Sequence, residues 1–246
     1  MTRFIILCTK FIVALIVALL FTSCRYSLNI SGIDGNGNVK TEKRTVTNSF
    51  TKIEAKRGVE VIIQQDSNVD IEVEADENLL SHILTTVENG ILIITTDENI
   101  DNYDALTIRV KLPTIESLEA SSGANITNNN VLLGKQLSIT SSSGSEIEVN
   151  TEYETITADA SSGSNQTLTG KTLKLNASTS SGSQINADNL LSNDVIANAS
   201  SGSSLDVNSL VSLNASSSSG SNIDYRGKAK TVKKDETSGG SISKID

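Results

Sequence analysis

Asp206 and Asp224 are the residues of this sequence whose spacing points most directly to chemistry. Each stands four residues after a glycine, Gly202 or Gly220, that closes a run of serines. If those glycines mark equivalent points on stacked turns of chain, the two carboxylates lie about 5 Å apart, the distance between paired strands. Retaining glycosidases use a similar separation, and like charges that close push one carboxyl toward its protonated form. A solvated acidic face is the competing reading. Arg226 stands nearby to soften the repulsion, Trp is absent, aromatics make up 3% of the chain, and Tyr153 and Tyr225 are far apart. Sites that grip small polar molecules normally set aromatic walls around a few polar groups, and this chain has little to build them from.

Other chemistry finds less support. His82 is the only histidine, and no cysteine or second histidine stands near it, so neither a metal centre nor a Ser-His-Asp triad is expected. It lies beside Leu79, Leu80 and Ile83, which suits an edge position in the structure. Asp34-Gly35-Asn36-Gly37-Asn38 begins like a calcium loop, but Val39 and Thr45 occupy the places that need Gly and Glu. Asn-x-Ser/Thr at Asn125, Asn165, Asn176, Asn198 and Asn214 reads as repeat sequence. No metal and no cofactor is expected, and no catalytic residue is assigned.

The elements that would position Asp206 and Asp224 come from a repeat. Its glycines are Gly123, Gly144, Gly163, Gly182, Gly202, Gly220 and Gly239, at spacings of 21, 19, 19, 20, 18 and 19 residues. A fixed period of this length signals stacked units rather than a linker. Apolar residues keep register with it. Seven before the glycine stand Leu137, Ile156, Leu175, Val195, Leu213 and Val232, with Glu116 in the first repeat. Five before stand Leu118, Ile139, Ala158, Ala177, Ala197 and Ala215; three before, Ala120, Ser141, Ala160, Thr179, Ala199 and Ser217. Three after stand Ile126, Ile147, Gln166, Ile185, Leu205, Ile223 and Ile242. Alternate positions share one face, the two-residue period of a strand.

A strand, a glycine corner and a second strand in about 20 residues make one rung of a parallel β-helix, expected to be right-handed because parallel crossovers take that hand. The glycines mark corners that need φ > 0. The serines just before them, Ser122, Ser143, Ser162, Ser181, Ser201, Ser219 and Ser238, would stack into a hydroxyl ladder along one edge. That ladder is structural first and a candidate binding surface second. The last rung carries Lys234 and Glu236 where other rungs are small or apolar, a polar stop that discourages further strand addition.

Ahead of the repeats, Phe50 to Glu74 alternates as strands, and Asp76-Glu77-Asn78 could open a short helical turn. Asn89-Gly90 signals a hairpin, and Leu106 to Leu112 is a strand ended by Pro113. These read as irregular rungs sharing the core of the rod.

The front of the chain addresses it to the envelope. Arg3 and Lys10 precede the apolar run Phe11 to Phe21, which is short for a membrane span and right for a signal peptide. Leu20-Phe21-Thr22-Ser23-Cys24 resembles the bacterial lipoprotein cleavage box, which implies an acylated Cys24 as mature N-terminus. The expected organisation is a leader over 1–23, a lipidated N-terminus and flexible tether over 24–45, and one β-helical domain over 46–246. Within it, 46–118 would be irregular rungs and 119–246 the Ser-Ser-Gly rungs. Losing Arg3 and Lys10 with the leader takes the net charge from −9 to −11, which argues against nucleic acid as a partner. With Cys8 also lost, one cysteine remains and no internal disulfide is possible.

Gly35-Asn36-Gly37-Asn38-Val39, Phe50-Thr51-Lys52-Ile53, Gly58-Val59-Glu60-Val61, Ala75-Asp76-Glu77-Asn78-Leu79-Leu80 and the serial SSGS runs carry a family resemblance. The chain resembles the "putative auto-transporter adhesin, head GIN domain" proteins of Bacteroidetes-type bacteria over roughly residues 35 to 245. The resemblance implies a secreted or lipid-anchored β-helical domain with an adhesive role and supplies no catalytic residues. The expected function is a non-enzymatic, lipid-anchored envelope protein, held in the outer membrane by its lipid and presenting a polar surface to glycan or protein. A carbohydrate-active enzyme using Asp206 and Asp224, and a structural part of an envelope complex, are the alternatives.

Overall fold

The structure, a computed structural model, describes residues 32–245. Cys24 and the expected leader lie outside the described residues. In chain order the first strands are β1 (Val39–Arg44), β2 (Lys52–Lys56), β3 (Glu60–Gln65), β4 (Asp70–Asp76), β5 (Ile83–Glu88), β6 (Ile91–Thr96) and β7 (Leu106–Leu112). Next come β8 (Ser117–Ser121), β9 (Asn125–Asn128), β10 (Leu132–Ser141), β11 (Glu146–Ala160), β12 (Asn165–Thr179) and β13 (Gln184–Ala199). The last are β14 (Ser204–Ser217), β15 (Asn222–Arg226), β16 (Thr231–Glu236) and β17 (Ser241–Lys244). All belong to one continuous hydrogen-bonded sheet, and from Ile33 onward the chain is one compact unit.

From β8 to β17 every pairing is parallel, and each coil lies on the one before it: a β-solenoid. The files read from the sequence are the files in space. Ile126, Ile147, Gln166, Ile185, Leu205, Ile223 and Ile242 are consecutive register partners. So are Leu118, Ile139, Ala158, Ala177, Ala197 and Ala215, all buried. The alanine file narrows the core beside the corner, while the Leu137–Ile156–Leu175–Val195–Leu213 file fills the wider part. Each fully buried aliphatic side chain contributes about 1.5–3 kcal/mol relative to exposure. Tyr153 lies over the backbone of Gly134, where a Cβ would sit 2.3 Å from its ring, and its hydroxyl donates to the Ile115 carbonyl. Burial pushes that phenol up to about 12.

Each corner is a two-residue turn with both central residues at positive φ. The serines run from 49° to 55° (Ser122 to Ser238) and the glycines from 69° to 77°. These are the values of a type I′ turn, and the chain closes it in the expected way: the Ser164 N–H donates to the Ser161 carbonyl at 3.2 Å. Expected strain at glycine therefore extends to the serine before it, a side-chain-bearing residue in the left-handed region. The turns also bond to one another. The N–H of Gly123, Gly144, Gly163, Gly182 and Gly202 donates to the carbonyl of the left-handed serine one coil on, at 3.1–3.2 Å.

The N-terminal part departs from simple coiling. The β2–β3 pair forms a coil with its own left-handed corner, Arg57-Gly58, but it is stacked out of chain order. On one side β2 and β3 pair with β8 and β9, and on the other with β6 and β7, all parallel. Antiparallel strands then close that end: β5 on β6 through the Asn89-Gly90 hairpin, and β4 on β7. The expected helical turn is a single 3-10 turn at Leu80–His82.

The expected flexible tether is corrected over its second half, where β1 pairs antiparallel with β4. The loop before β1 is held by the buried carboxylate of Asp76, which accepts the N–H of Gly37, Asp104 and Ala105. Burial pushes that carboxyl up, but these backbone donors outweigh it and hold it below the usual carboxylate range. Asp34, read as a failed calcium ligand, accepts from Asn102 instead. At the other end, Lys234 and Glu236 fold over the open core. Lys234 Nζ donates to the Ile242 carbonyl at 2.9 Å and stands 4.7 Å from the Tyr225 ring centroid, while Glu236 accepts the Ile242 N–H.

The corner geometry predicts two substitutions of opposite sign. Ser162→Asn, placing a residue that tolerates the left-handed region at the first turn position, should raise stability by about 0.5–1 kcal/mol, or about 2 °C in Tm. Gly163→Ala should lower it by about 1–2 kcal/mol. Thermal and urea unfolding of both variants gives the check.

Candidate functional site

A shallow groove of about 360 Å³ runs across the coils beside the Ser-Gly corners. Its wall is an outward file on the strand leading into each corner, in which Thr140, Asp159, Ser178, Asn198 and Ser216 are successive register partners. The file continues to Glu119 at one end and Asp235 at the other. Its other edge is the first residue of successive turns: Ser161, Ser180, Ser200 and Ser218. The groove therefore offers hydroxyl, amide and carboxylate groups on backbone that every neighbouring coil fixes. Partial desolvation pushes the Asp159 carboxyl up, against a lowering hydrogen bond from Ser178.

Beneath the corners lies a set of buried hydroxyls bonded to the turns. Four of the serines that follow corner glycines are buried and staple their own turns: Ser183 Oγ accepts the Ser180 N–H at 3.2 Å and donates to the Ser180 carbonyl at 2.8 Å. Ser164, Ser203 and Ser221 repeat the arrangement. Alternate coils add a second hydroxyl beneath, as Ser141 to Ser164 and Thr179 to Ser203, each at 2.9 Å. Gln166 interrupts the isoleucine file because its Nε2 donates to Ser141 Oγ at 3.0 Å and to the Asp159 carbonyl at 2.8 Å.

Ser122, Ser143, Ser162, Ser181, Ser201, Ser219 and Ser238 are exposed at the tip of each corner, stacked as expected. They do not line the groove; the serines one residue earlier do. The motif S-S-G-S thus divides three ways: groove edge, strained tip and buried staple. Sequence reasoning puts the weight on the tip. The signal for the groove is present in the polar residues four before each glycine.

A second polar file lies on the strand leaving each corner. Asp206 and Asp224 are register partners there, as their spacing predicts. Burial pushes the Asp206 carboxyl up, with Asp224 and Asp188 adding to the effect and Arg226 opposing it. Arg226 stands 3.9 Å from Asp188, and Asn222 Nδ2 donates to Asp224. His82 is paired with Asp97 at 2.9 Å, far in sequence from either file.

The comparisons with known proteins agree with this architecture. Among solved structures the chain is similar to a "putative adhesin" from Bacteroides fragilis, at 19% identity and a TM-score of 0.80, covering 87% of this chain and 100% of that one. A second "putative adhesin", from Parabacteroides merdae, gives 19% identity and a TM-score of 0.70 over 87% and 99% of the two chains. A "putative lipid binding protein" from Parabacteroides distasonis gives 17% identity and 0.71, again over 87% and 99%. These likenesses concern the fold. No curated protein matches the chain. Residues 49–229 match the family described as "Putative auto-transporter adhesin, head GIN domain", and with most of its length inside that match the chain belongs to this family.

Proposed function

We propose that this protein is a non-enzymatic, lipid-anchored binding module of the bacterial cell envelope that holds a glycan along the groove beside its Ser-Gly corners. The observation that carries the reading is the file Thr140–Asp159–Ser178–Asn198–Ser216, five polar side chains at one-coil intervals along a groove. A polymer with repeating hydroxyls meets a polar side chain at every coil, about 4.8 Å apart. Single contacts of this sort are weak, and binding comes from their number. The tip serines extend the hydroxylated surface beyond the groove. Right-handed coiling, the hand of parallel crossovers, fits this rod. The family's adhesin description and the lipoprotein-like box at Cys24 support an envelope location, with the acyl chains as the membrane contact.

The carboxyl pair favours a second reading, a carbohydrate-active rod using Asp206 and Asp224. The proton affinity of Asp206 is raised by desolvation and by a like-charged neighbour, the environment that makes a general acid. Arg226, which opposes the raised proton affinity of Asp206, weighs toward a tolerated charge cluster.

Three measurements test these readings. Asp159→Ala with Asn198→Ala should weaken retention on immobilised envelope polysaccharides about tenfold or more while leaving Tm nearly unchanged; equal retention would defeat the groove. Asp206→Asn tests the pair through pH. Because the folded protein holds this proton more tightly than the unfolded chain does, its contribution is present at low pH and lost as pH rises through the raised folded value. The variant should melt about a degree or two above wild type at pH 7, and the gap should close below the ordinary carboxyl value of 3.8. Release of reducing ends from a polysaccharide panel, abolished in Asp206→Ala with Asp224→Ala, would establish the enzymatic reading.

A further inference from the structure

On the corner opposite the Ser-Gly turns, stacking produces a surface of different character. Leu173, Leu191, Leu210 and Val211 are exposed there on three successive coils, at 57%, 42%, 36% and 48%. Single exposed leucines are ordinary, but contiguous ones flanked by charge mark contact surfaces. One outward file runs through this patch. The register pairs Tyr153↔Thr172 and Thr155↔Lys174 place Glu154 opposite Leu173. Thr172↔Ser192 and Lys174↔Asp194 place Leu173 opposite Asn193. Ser192↔Ser209 and Asp194↔Ser212 bracket a bulge that sets both Leu210 and Val211 against Asn193, and the Lys230 N–H donates to the Val211 carbonyl. The file reads Glu154, Leu173, Asn193, Val211, Lys230: acid, apolar, amide, apolar, base.

That order is its own complement when reversed. We propose that this corner docks a second copy of the chain, antiparallel, about a two-fold axis at the Asn193 coil. Glu154 then meets the partner's Lys230, Leu173 packs on the partner's Val211, and Asn193 faces the partner's Asn193. Leu191 and Leu210 widen the apolar centre. Glu154 and Lys230 have no ion-pair partner among the described residues, whereas neighbouring Lys171 already bonds Glu152. A parallel pairing would set Glu154 against the partner's Glu154 and Lys230 against the partner's Lys230, so charge selects the antiparallel, closed arrangement. The five coils of the strip span about 19 Å. A strip of that length buries less than the roughly 800 Å² per partner of a standard interface, so the dimer is weak, on the order of micromolar or above. None of these residues belongs to the polar file of the groove, so dimerisation leaves that surface open.

Sedimentation velocity of the full chain in mild detergent, over a range of protein and salt concentrations, tests the proposal. Wild type should show a reversible monomer–dimer equilibrium that weakens with salt. Glu154→Lys and Lys230→Glu should each lower the association constant about tenfold, because each turns both symmetry-related pairs repulsive. The double variant should restore association, since exchanging the charges recreates both pairs. Leu173→Asp should be monomeric, with an unchanged melting profile confirming its fold. A chain that stays monomeric at all concentrations overturns the proposal. So does a dimer that tolerates the single reversals, or one that the double exchange fails to restore.

Discussion

Every coil of this protein leaves two rows of backbone N–H and C=O groups that only another coil can satisfy, and the chain spends its sequence on keeping those rows in register. The requirement is sharpest at the corner. There the glycine N–H of five successive corners, Gly123 to Gly202, donates to the carbonyl of the left-handed serine on the next coil. The carbonyl points along the rod because the serine has φ near 54°, an expensive conformation for a residue with a side chain. The bond along the stack, the turn's own closure and the buried serine that staples it all oppose the strain. A corner that is unfavourable alone becomes stable by repetition, as expected of a structure whose stability is a nearest-neighbour sum.

Such a rod has to end, and its ends are handled differently. At the start, antiparallel strands β5 and β4 lie over the first coil and take up its free edge, with β1 laid beyond β4. At the finish side chains, rather than an antiparallel strand, lie over the last coil among the described residues. Lys234 and Glu236 sit in the alanine and small-residue files, and their long side chains bend back to the Ile242 backbone. The aliphatic part of Lys234 covers the core while its charge stays near Tyr225 and solvent, and charged side chains on the last strand discourage templating of a further one.

The repeating half is legible because two signals coincide in it: glycine punctuation at a nearly constant period and two-residue alternation between the glycines. Ala158, Ala177, Ala197 and Ala215 are recognisable as one interior file by their common offset from the corner glycine. The N-terminal half is legible only locally. The Asn89-Gly90 hairpin and the Leu106–Leu112 strand follow from neighbouring residues, but the placement of β2–β3 between β6–β7 and β8–β9 is a long-range pairing with no local mark. Residues 33–44 look like a polar tether by composition. They are ordered because one buried carboxylate, Asp76, gathers backbone donors from both sides of the chain. The carboxyl pair is visible from spacing alone; the groove is not, because its residues differ in type from coil to coil and share only a position.

The two corners also divide the work of accommodating sequence variation. Repeat lengths differ by up to three residues between glycines, yet the strands entering and leaving the Ser-Gly corner stay in step. A one-residue slip there would turn a whole file inside out. The irregularities fall at the opposite corner, between Thr167 and Gly170, Ala187 and Leu191, and Ser192 and Asp194. Insertions are absorbed where the side chains project into solvent rather than where the alanine file closes the core. The Ser-Gly side therefore repeats the same geometry coil after coil, which suits a surface that meets a repeating polymer. The opposite corner is free to differ at each level, and it is there that acid, leucine, amide, valine and base appear in an order that only a specific partner could read.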